Sequence, residues 1–141
     1  MAIPATEGEV LSAWVDFNGH MSAPYYAVAF GEANDAALRV LGFGAEWRAR
    51  GRGLFVVEAH YRYLRQMRAG DRFRITTHPS KAYSKRLWLT HRMLRIGGES
   101  AAEAEILFLH VATDGPKAVP FEADDRARLV AFLGEPAQLE A

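Results

Sequence analysis

Pro24-Tyr-Tyr-Ala-Val-Ala-Phe-Gly-Glu-Ala-Asn-Asp-Ala-Ala-Leu-Arg-Val-Leu41 is the stretch on which the fold turns. Apolar residues at Tyr26, Phe30, Ala33, Ala37, Val40 and Leu41 recur at helical spacing, and five alanines favour that state. Ser22 or Ala23 is placed to cap the helix, and Pro24 falls in the first turn, where a missing N–H costs nothing. Gly42 and Gly44 stop it. At 1.5 Å per residue such a helix is ~27 Å long, enough to lie across a sheet of five strands.

Working outward, Gly8–Phe17 (G-E-V-L-S-A-W-V-D-F) is short and apolar and reads as a strand, followed by a polar turn at Asn18–Ser22. Beyond the helix lies a loop rich in Gly and Arg, and then the period changes to two. In Leu54–Leu64 the odd positions Phe55, Val57, Ala59, Tyr61 and Tyr63 alternate with Glu58, His60 and Arg62. In Asp71–His78, Phe73, Ile75 and Thr77 alternate with Arg72, Arg74 and Thr76. Arg86–Ile96 and Ala101–Val111 read as a hairpin about Gly97-Gly98-Glu99, and Asp124–Leu133 as a short amphipathic helix. One strand, one long helix and four successive strands predict an α+β domain: a five-stranded antiparallel sheet around one helix, not a doubly wound sheet. No repeat or linker divides the chain, so residues 1–141 form one domain.

Composition narrows the function. The 141 residues are 50% apolar and 24% charged, within the range of a globular domain. No run approaches the ~18–20 uncharged residues of a membrane span. The opening Met1-Ala-Ile-Pro lacks the basic and apolar regions of a secretory signal, so a cytoplasmic protein is expected. Zero cysteines exclude disulfides and thiolate catalysis. Seventeen Lys and Arg balance seventeen Asp and Glu, which argues against binding nucleic acid. The charge is uneven, however. Arg48 to Arg74 holds eight arginines and two acids, Glu58 and Asp71, whereas Glu103 to Glu140 holds eight acids and three bases. The basic zone is either a solvated face or a site for a small anion.

Chemistry concentrates in Val15-Asp-Phe-Asn-Gly-His-Met-Ser-Ala-Pro-Tyr-Tyr26, where Asp16, Asn18 and His20 fall within five residues. They sit where a helix begins, beside free N–H groups and the positive end of the helix dipole. Such amides can hold a developing oxyanion, and with Pro24 lacking an N–H those of Tyr25 and Tyr26 are the candidates. A carboxylate beside them can act as general base on water or as nucleophile. Asn18 and His20 can orient it or bind the same carbonyl. The alternative is an Asx turn with no catalytic role.

D-F-N-G-H-M-S-x-x-x-Y resembles the D-x-N-x-H-[MV]-N-x-x-x-Y segment of hotdog-fold acyl-CoA thioesterases, in the 4-hydroxybenzoyl-CoA thioesterase-like group. F-V-V-E-A-H-Y-R-Y-L, G-D-R-F-R-I-T-T and K-R-L-W-L-T-H-R-M extend the likeness over most of the chain. The resemblance implies the hotdog fold and metal-independent hydrolysis of an acyl-CoA thioester to free acid and coenzyme A. It implies no cofactor, coenzyme A being part of the substrate. It implies a homodimer whose sheets join edge to edge, or a dimer of dimers. Asp16 aligns with the family's catalytic carboxylate, and Asn18 and His20 with its motif partners. The family's second Asn is Ser22 here, which can also cap the helix.

Other residues carry a functional and a structural reading. Glu58, in a strand, either assists Asp16 from a second subunit or is a paired charge. His60, His91 and His110 read as structural. A zinc site from His20, His60 and Glu58 lacks any ligand motif. Arg48, Arg50 and Arg52, or Lys81, Lys85 and Arg86, could hold the phosphates of coenzyme A. Tyr25, Tyr26, Phe30 and Phe55 are the candidate lining of an acyl pocket, and aromatic rings there suit a quaternary ammonium as well as aryl or alkyl chains. Two other functions compete: an enoyl-CoA hydratase and a non-catalytic acyl-CoA-binding domain. Hydratases of this architecture carry D-x-N-P-x-H, whereas here Asp and His are four apart and the proline is missing.

Overall fold

The computed structural model describes residues 1–133, so the end of the expected domain, with Glu135 and Glu140 of the acidic zone, lies outside the described residues. Strands β1 (Thr6–Glu9), β2 (Arg52–Tyr63), β3 (Arg72–Ala82), β4 (Arg86–Arg95), β5 (Ser100–Ala112) and β6 (Lys117–Ala118) form one antiparallel sheet. Its order is β1-β3-β4-β5-β2, with the two-residue β6 beside β5. Helices α1 (Ala23–Val40), α2 (Ala45–Ala49) and α3 (Ala123–Leu133) complete the chain. The sheet curls around α1, which buries Ala29, Phe30, Ala33 and Ala37. This is the α+β hotdog architecture. No helix among the described residues is long and apolar enough to cross a membrane.

The long helix and the last hairpin keep their expected bounds to within two residues. The segment Gly8–Phe17 does not stay a strand. Ladder pairing ends at Glu9, Ser12–Trp14 winds into a 3-10 turn, and Val15 makes only an isolated bridge to Met21. The Gly- and Arg-rich loop contains α2, whose Trp47 is buried against Phe43. A sixth short strand is the other addition. Strand β3 continues past His78 through Pro79, where the register shifts and a missing N–H is tolerated.

Two polar clusters pin the helix. In the first, His91 of β4 is fully buried between Asn34 of α1 and Thr77 of β3. Its Nε2–H donates to Asn34 Oδ1 at 2.6 Å, so Nδ1 accepts from the Thr77 hydroxyl at 2.7 Å. In the second, Asp125 of α3, 1% exposed, accepts from the Trp47 indole at 3.3 Å and from Arg128. Arg128 also donates Nε to Leu41 O at 3.0 Å and Nη2 to Gly42 O at 3.4 Å, closing the C-terminus of α1. Gly42 has φ +92°, and a Cβ there would lie 2.2 Å from Arg128 Nε, so the turn requires glycine twice over.

Burial, with a smaller contribution from His78, lowers the His91 pKa from 6.5 to about 4. The unfolded chain therefore takes up a proton near pH 6.5 that the folded chain refuses until about pH 4. Stability from this group is complete above pH 6.5 and is lost as pH falls toward 4, by about 3 kcal/mol in total. The urea midpoint is expected to fall over that window. In His91→Leu it should start lower at pH 7, because Asn34 and Thr77 lose their partner, and change less with acid. An equally steep acid dependence in the variant would place the effect elsewhere.

Candidate active site

The N-terminus of α1 carries the site, and its shape starts with backbone hydrogen bonds. Asp16 N–H donates to His20 O at 2.9 Å and Gly19 N–H to Asp16 O at 2.9 Å, with Gly19 at φ +81°. The Asp16 side chain closes the same loop. Its Oδ1 accepts the N–H of Asn18 at 2.9 Å and of His20 at 3.2 Å. The Asx turn is thus real, but it uses one carboxylate oxygen; Oδ2 has no partner among the described residues. The loop is anchored by Ser22 N–H to Trp14 O at 2.9 Å, by Met21 N–H to Met67 O at 2.8 Å, and by a bridge between His20 and Arg68.

Asp16, Asn18 and His20 line one cleft of about 370 Å³ together with Ala23 and Tyr26 of α1. Its other wall is Tyr63, Leu64 and Arg65, at the end of β2. The structure therefore brings together the three motif residues and one expected lining residue, Tyr26. Ser22 occupies the cap position with extended backbone (φ −75°, ψ 145°), but its side chain makes no capping hydrogen bond. One of the expected amide donors is already engaged. Of the two expected donors, the Tyr25 N–H is taken by Ser22 O at 3.0 Å; Pro24 has none, and Ala23 stands in the cleft wall.

The remaining candidates lie elsewhere in the chain. Tyr25 stacks on Trp14 with centroids 5.8 Å apart. Phe30 is fully buried between Tyr61 and His91 and belongs to the core, not to an open pocket. Phe55 is turned away by a bulge: the register shifts between Val56 and Glu58, so Val57 is unpaired. Before the bulge Phe55 opposes Leu109; after it Glu58 opposes Leu107, so Phe55 shares the outer face with Glu58, His60 and Arg62. Ala59, Tyr61 and Tyr63 keep the inner face. Glu58 is exposed, 3.8 Å from His60 Nε2, and does not reach the cleft of its own chain. Lys85 and Arg86 are exposed beside the β3–β4 turn, at the end of the sheet remote from Asp16. Among the described residues no three His, Asp or Glu side chains gather at a metal-binding distance.

Tyr63 and Arg65 join the cleft without any motif in the sequence to mark them. Tyr63 meets Tyr26 edge to face, with centroids 5.1 Å apart and planes at 64°. Burial raises the Tyr26 pKa above 10, partly offset by a hydrogen bond from the Met67 backbone, so its phenol is neutral. Arg65 is held by Glu99 at 2.8 Å and by Ser100 O at 2.9 Å. A separate groove of about 330 Å³ between β1, β3 and β4 is lined by Arg72, Arg74 and Arg95, and its acid, Glu7, lies 3.4 Å from Arg74. It offers charge for anions but no base.

The thioesterase-like superfamily profile matches residues 10–129. A betainyl-CoA thioesterase of Pseudomonas aeruginosa is 36% identical over 128 residues, covering 89% of this chain and 80% of that protein. An L-carnitine dehydrogenase/betainyl-CoA thioesterase of Agrobacterium fabrum is 39% identical over 113 residues; the match covers 80% of this chain but 23% of that longer protein. Among solved structures, a Staphylococcus aureus protein in complex with coenzyme A superposes with a TM-score of 0.87 at 20% identity, covering 100% of this chain and 87% of that one. At that identity it speaks for the fold alone. The profile match, the 36% identical relative and the helix-wrapping sheet agree: this chain belongs to the thioesterase-like superfamily and is a hydrolase of CoA thioesters.

Proposed function

We propose that the enzyme hydrolyses betainyl-CoA, the thioester of a trimethylammonium-bearing acetyl group, with Asp16 as general base. The observation that carries the catalytic part is the divided Asp16 carboxylate: Oδ1 fixed by two amides, Oδ2 without a partner among the described residues, in a cleft at a helix N-terminus. Oδ2 accepts a proton from water as the water oxygen bonds to the acyl carbon. The resulting oxyanion is held by the Ala23 amide and by Asn18 or His20, which share the cleft. The C–S bond then breaks, the coenzyme A sulfur takes the proton from Asp16, and betaine leaves as the free acid. Support for the acyl group comes from the relatives' names and from the aromatic pair Tyr26–Tyr63 in the cleft wall, since ring faces attract quaternary ammonium ions. The cation also withdraws electrons from the neighbouring carbonyl and so favours attack by water.

Asp16→Asn is the direct test, because the amide oxygen can still accept both loop N–H groups while losing the ability to take a proton. Thiol release from betainyl-CoA is expected to fall at least about 100-fold with unchanged melting temperature. Undiminished turnover would remove Asp16 from the reaction. The panel should include acetyl-, butyryl-, benzoyl- and crotonyl-CoA. Betainyl-CoA is expected to give the highest kcat/KM. Hydration of crotonyl-CoA without thiol release would favour the hydratase, and binding of every ester without cleavage would favour a non-catalytic domain.

The reading also includes a homodimer joined through β2. That strand ends the sheet and leaves Phe55, Val56 and Val57 exposed, an apolar edge that a second copy would cover. Antiparallel pairing of two β2 strands would set the Arg52–Glu58 half of one beside the Tyr63 end of the other, and so carry Glu58 toward the neighbouring cleft. Val56, 54% exposed on the inner face, tests this. Val56→Asp should sediment as a monomer with little activity, whereas the unaltered protein sediments as a dimer. A monomeric, fully active parent would overturn the arrangement.

A further inference from the structure

On the substrate reading above, we infer that the Tyr63 ring is the specificity-determining group that separates a cationic acyl group from a neutral one of the same shape. Three observations converge on it. Tyr63 lies on the inner face of β2 in the wall of the cleft that also holds Asp16, and it is half exposed, so ring surface is open to a ligand. Its neighbour Tyr26 is nearly buried and meets it edge to face at 5.1 Å, which fixes the two rings at a steep angle. Edge-to-face contact uses the rim of one ring and the face of the other, so π surface remains free for a third group. The cleft is also free of an opposing charge. Among the described residues its lining holds one Lys or Arg side chain, Arg65, which is paired with Glu99 and donates to Ser100 O, while Asp16 adds negative potential. A neutral tert-butyl group would fill the same space but gain only contact; a trimethylammonium gains the attraction of the ring face as well. The hydroxyl of Tyr63 has no part in this, so the ring and not the phenol decides.

The test compares betainyl-CoA with 3,3-dimethylbutanoyl-CoA, in which carbon replaces the ammonium nitrogen and the shape is kept. The betainyl ester is intrinsically the more reactive, so the quantity read is the change in the kcat/KM ratio between the two esters. In Tyr63→Leu the ratio is expected to drop about five- to tenfold, mostly through a higher KM for the betainyl ester. The neutral ester should change less than about twofold. Tyr63→Phe should keep the ratio within about twofold of the parent. Equal losses for both esters in Tyr63→Leu would make the residue a generic wall and overturn the inference. A drop in Tyr63→Phe as large as in Tyr63→Leu would assign the effect to the hydroxyl and overturn it too. A parent enzyme that releases no thiol from betainyl-CoA would instead refute the substrate reading on which the inference rests, a result visible before any variant is made.

Discussion

An α-helix with its side chains is ~10 Å across, whereas five strands at ~4.8 Å spacing span ~19 Å. One helix cannot cover such a sheet, even a curled one, and α1 packs against β1, β3 and β4. It touches β2 through rings, Phe30 on Tyr61 and Tyr26 on Tyr63. Much else follows from that shortfall. The inner face of β2 keeps apolar side chains open to solvent, Val56 and Tyr63 among them. The uncovered strip is also where α1 begins, so the cleft forms between the helix N-terminus and the end of β2. The exposed apolar strip of β2 and the cleft are thus adjoining consequences of one geometric deficit.

The polar groups divide in a matching way. Where α1 is covered, its polar groups find partners: Asn34 Oδ1 in His91, and its C-terminal carbonyls in Arg128. At the N-terminus the helix is left unfinished. Ser22 caps it without its hydroxyl, Pro24 supplies no donor, and Asp16 spans the loop with one oxygen and leaves the other free. A fully capped helix start would have been more stable by about 1 kcal/mol and could not have presented an amide to an incoming carbonyl. Incomplete local satisfaction at this end is compensated by the loop's ties to Trp14 and Met67.

What the sequence disclosed tracks how local the determining forces are. Helix α1, the β4–β5 hairpin and the Asp16–His20 turn depend on neighbours a few residues apart, and their periodicity and spacing were legible. The face of Phe55 was not. A strict period of two puts it with Tyr61 and Tyr63, but the extra residue Val57 reverses the alternation, and nothing in a run of apolar residues marks where a strand will bulge. The 3-10 turn at Ser12–Trp14 failed for the reverse reason: the sequence favours a strand there, but ladder pairing with β3 stops at Glu9 and the backbone turns on itself. Half of the cleft was equally hidden. Tyr63 and Arg65 join Asp16 only because β2 runs back past the helix start, a contact across more than forty residues that no motif announces.

Asp16 has a structural role in its loop, and the catalytic role proposed for it would draw on the same contacts. A carboxylate that must accept a proton has to be held still without being neutralised. Pairing with Arg65 would hold it but would also bind its lone pairs and lower its basicity. The Asx turn holds the group without an ion pair: two amides fix Oδ1, no cation touches it among the described residues, and Arg65 is drawn off by Glu99. The same arrangement keeps positive charge away from the place where the trimethylammonium would lie. On the proposed mechanism, holding Asp16 by backbone amides, and not by an ion pair, would serve the proton transfer and the choice of substrate together.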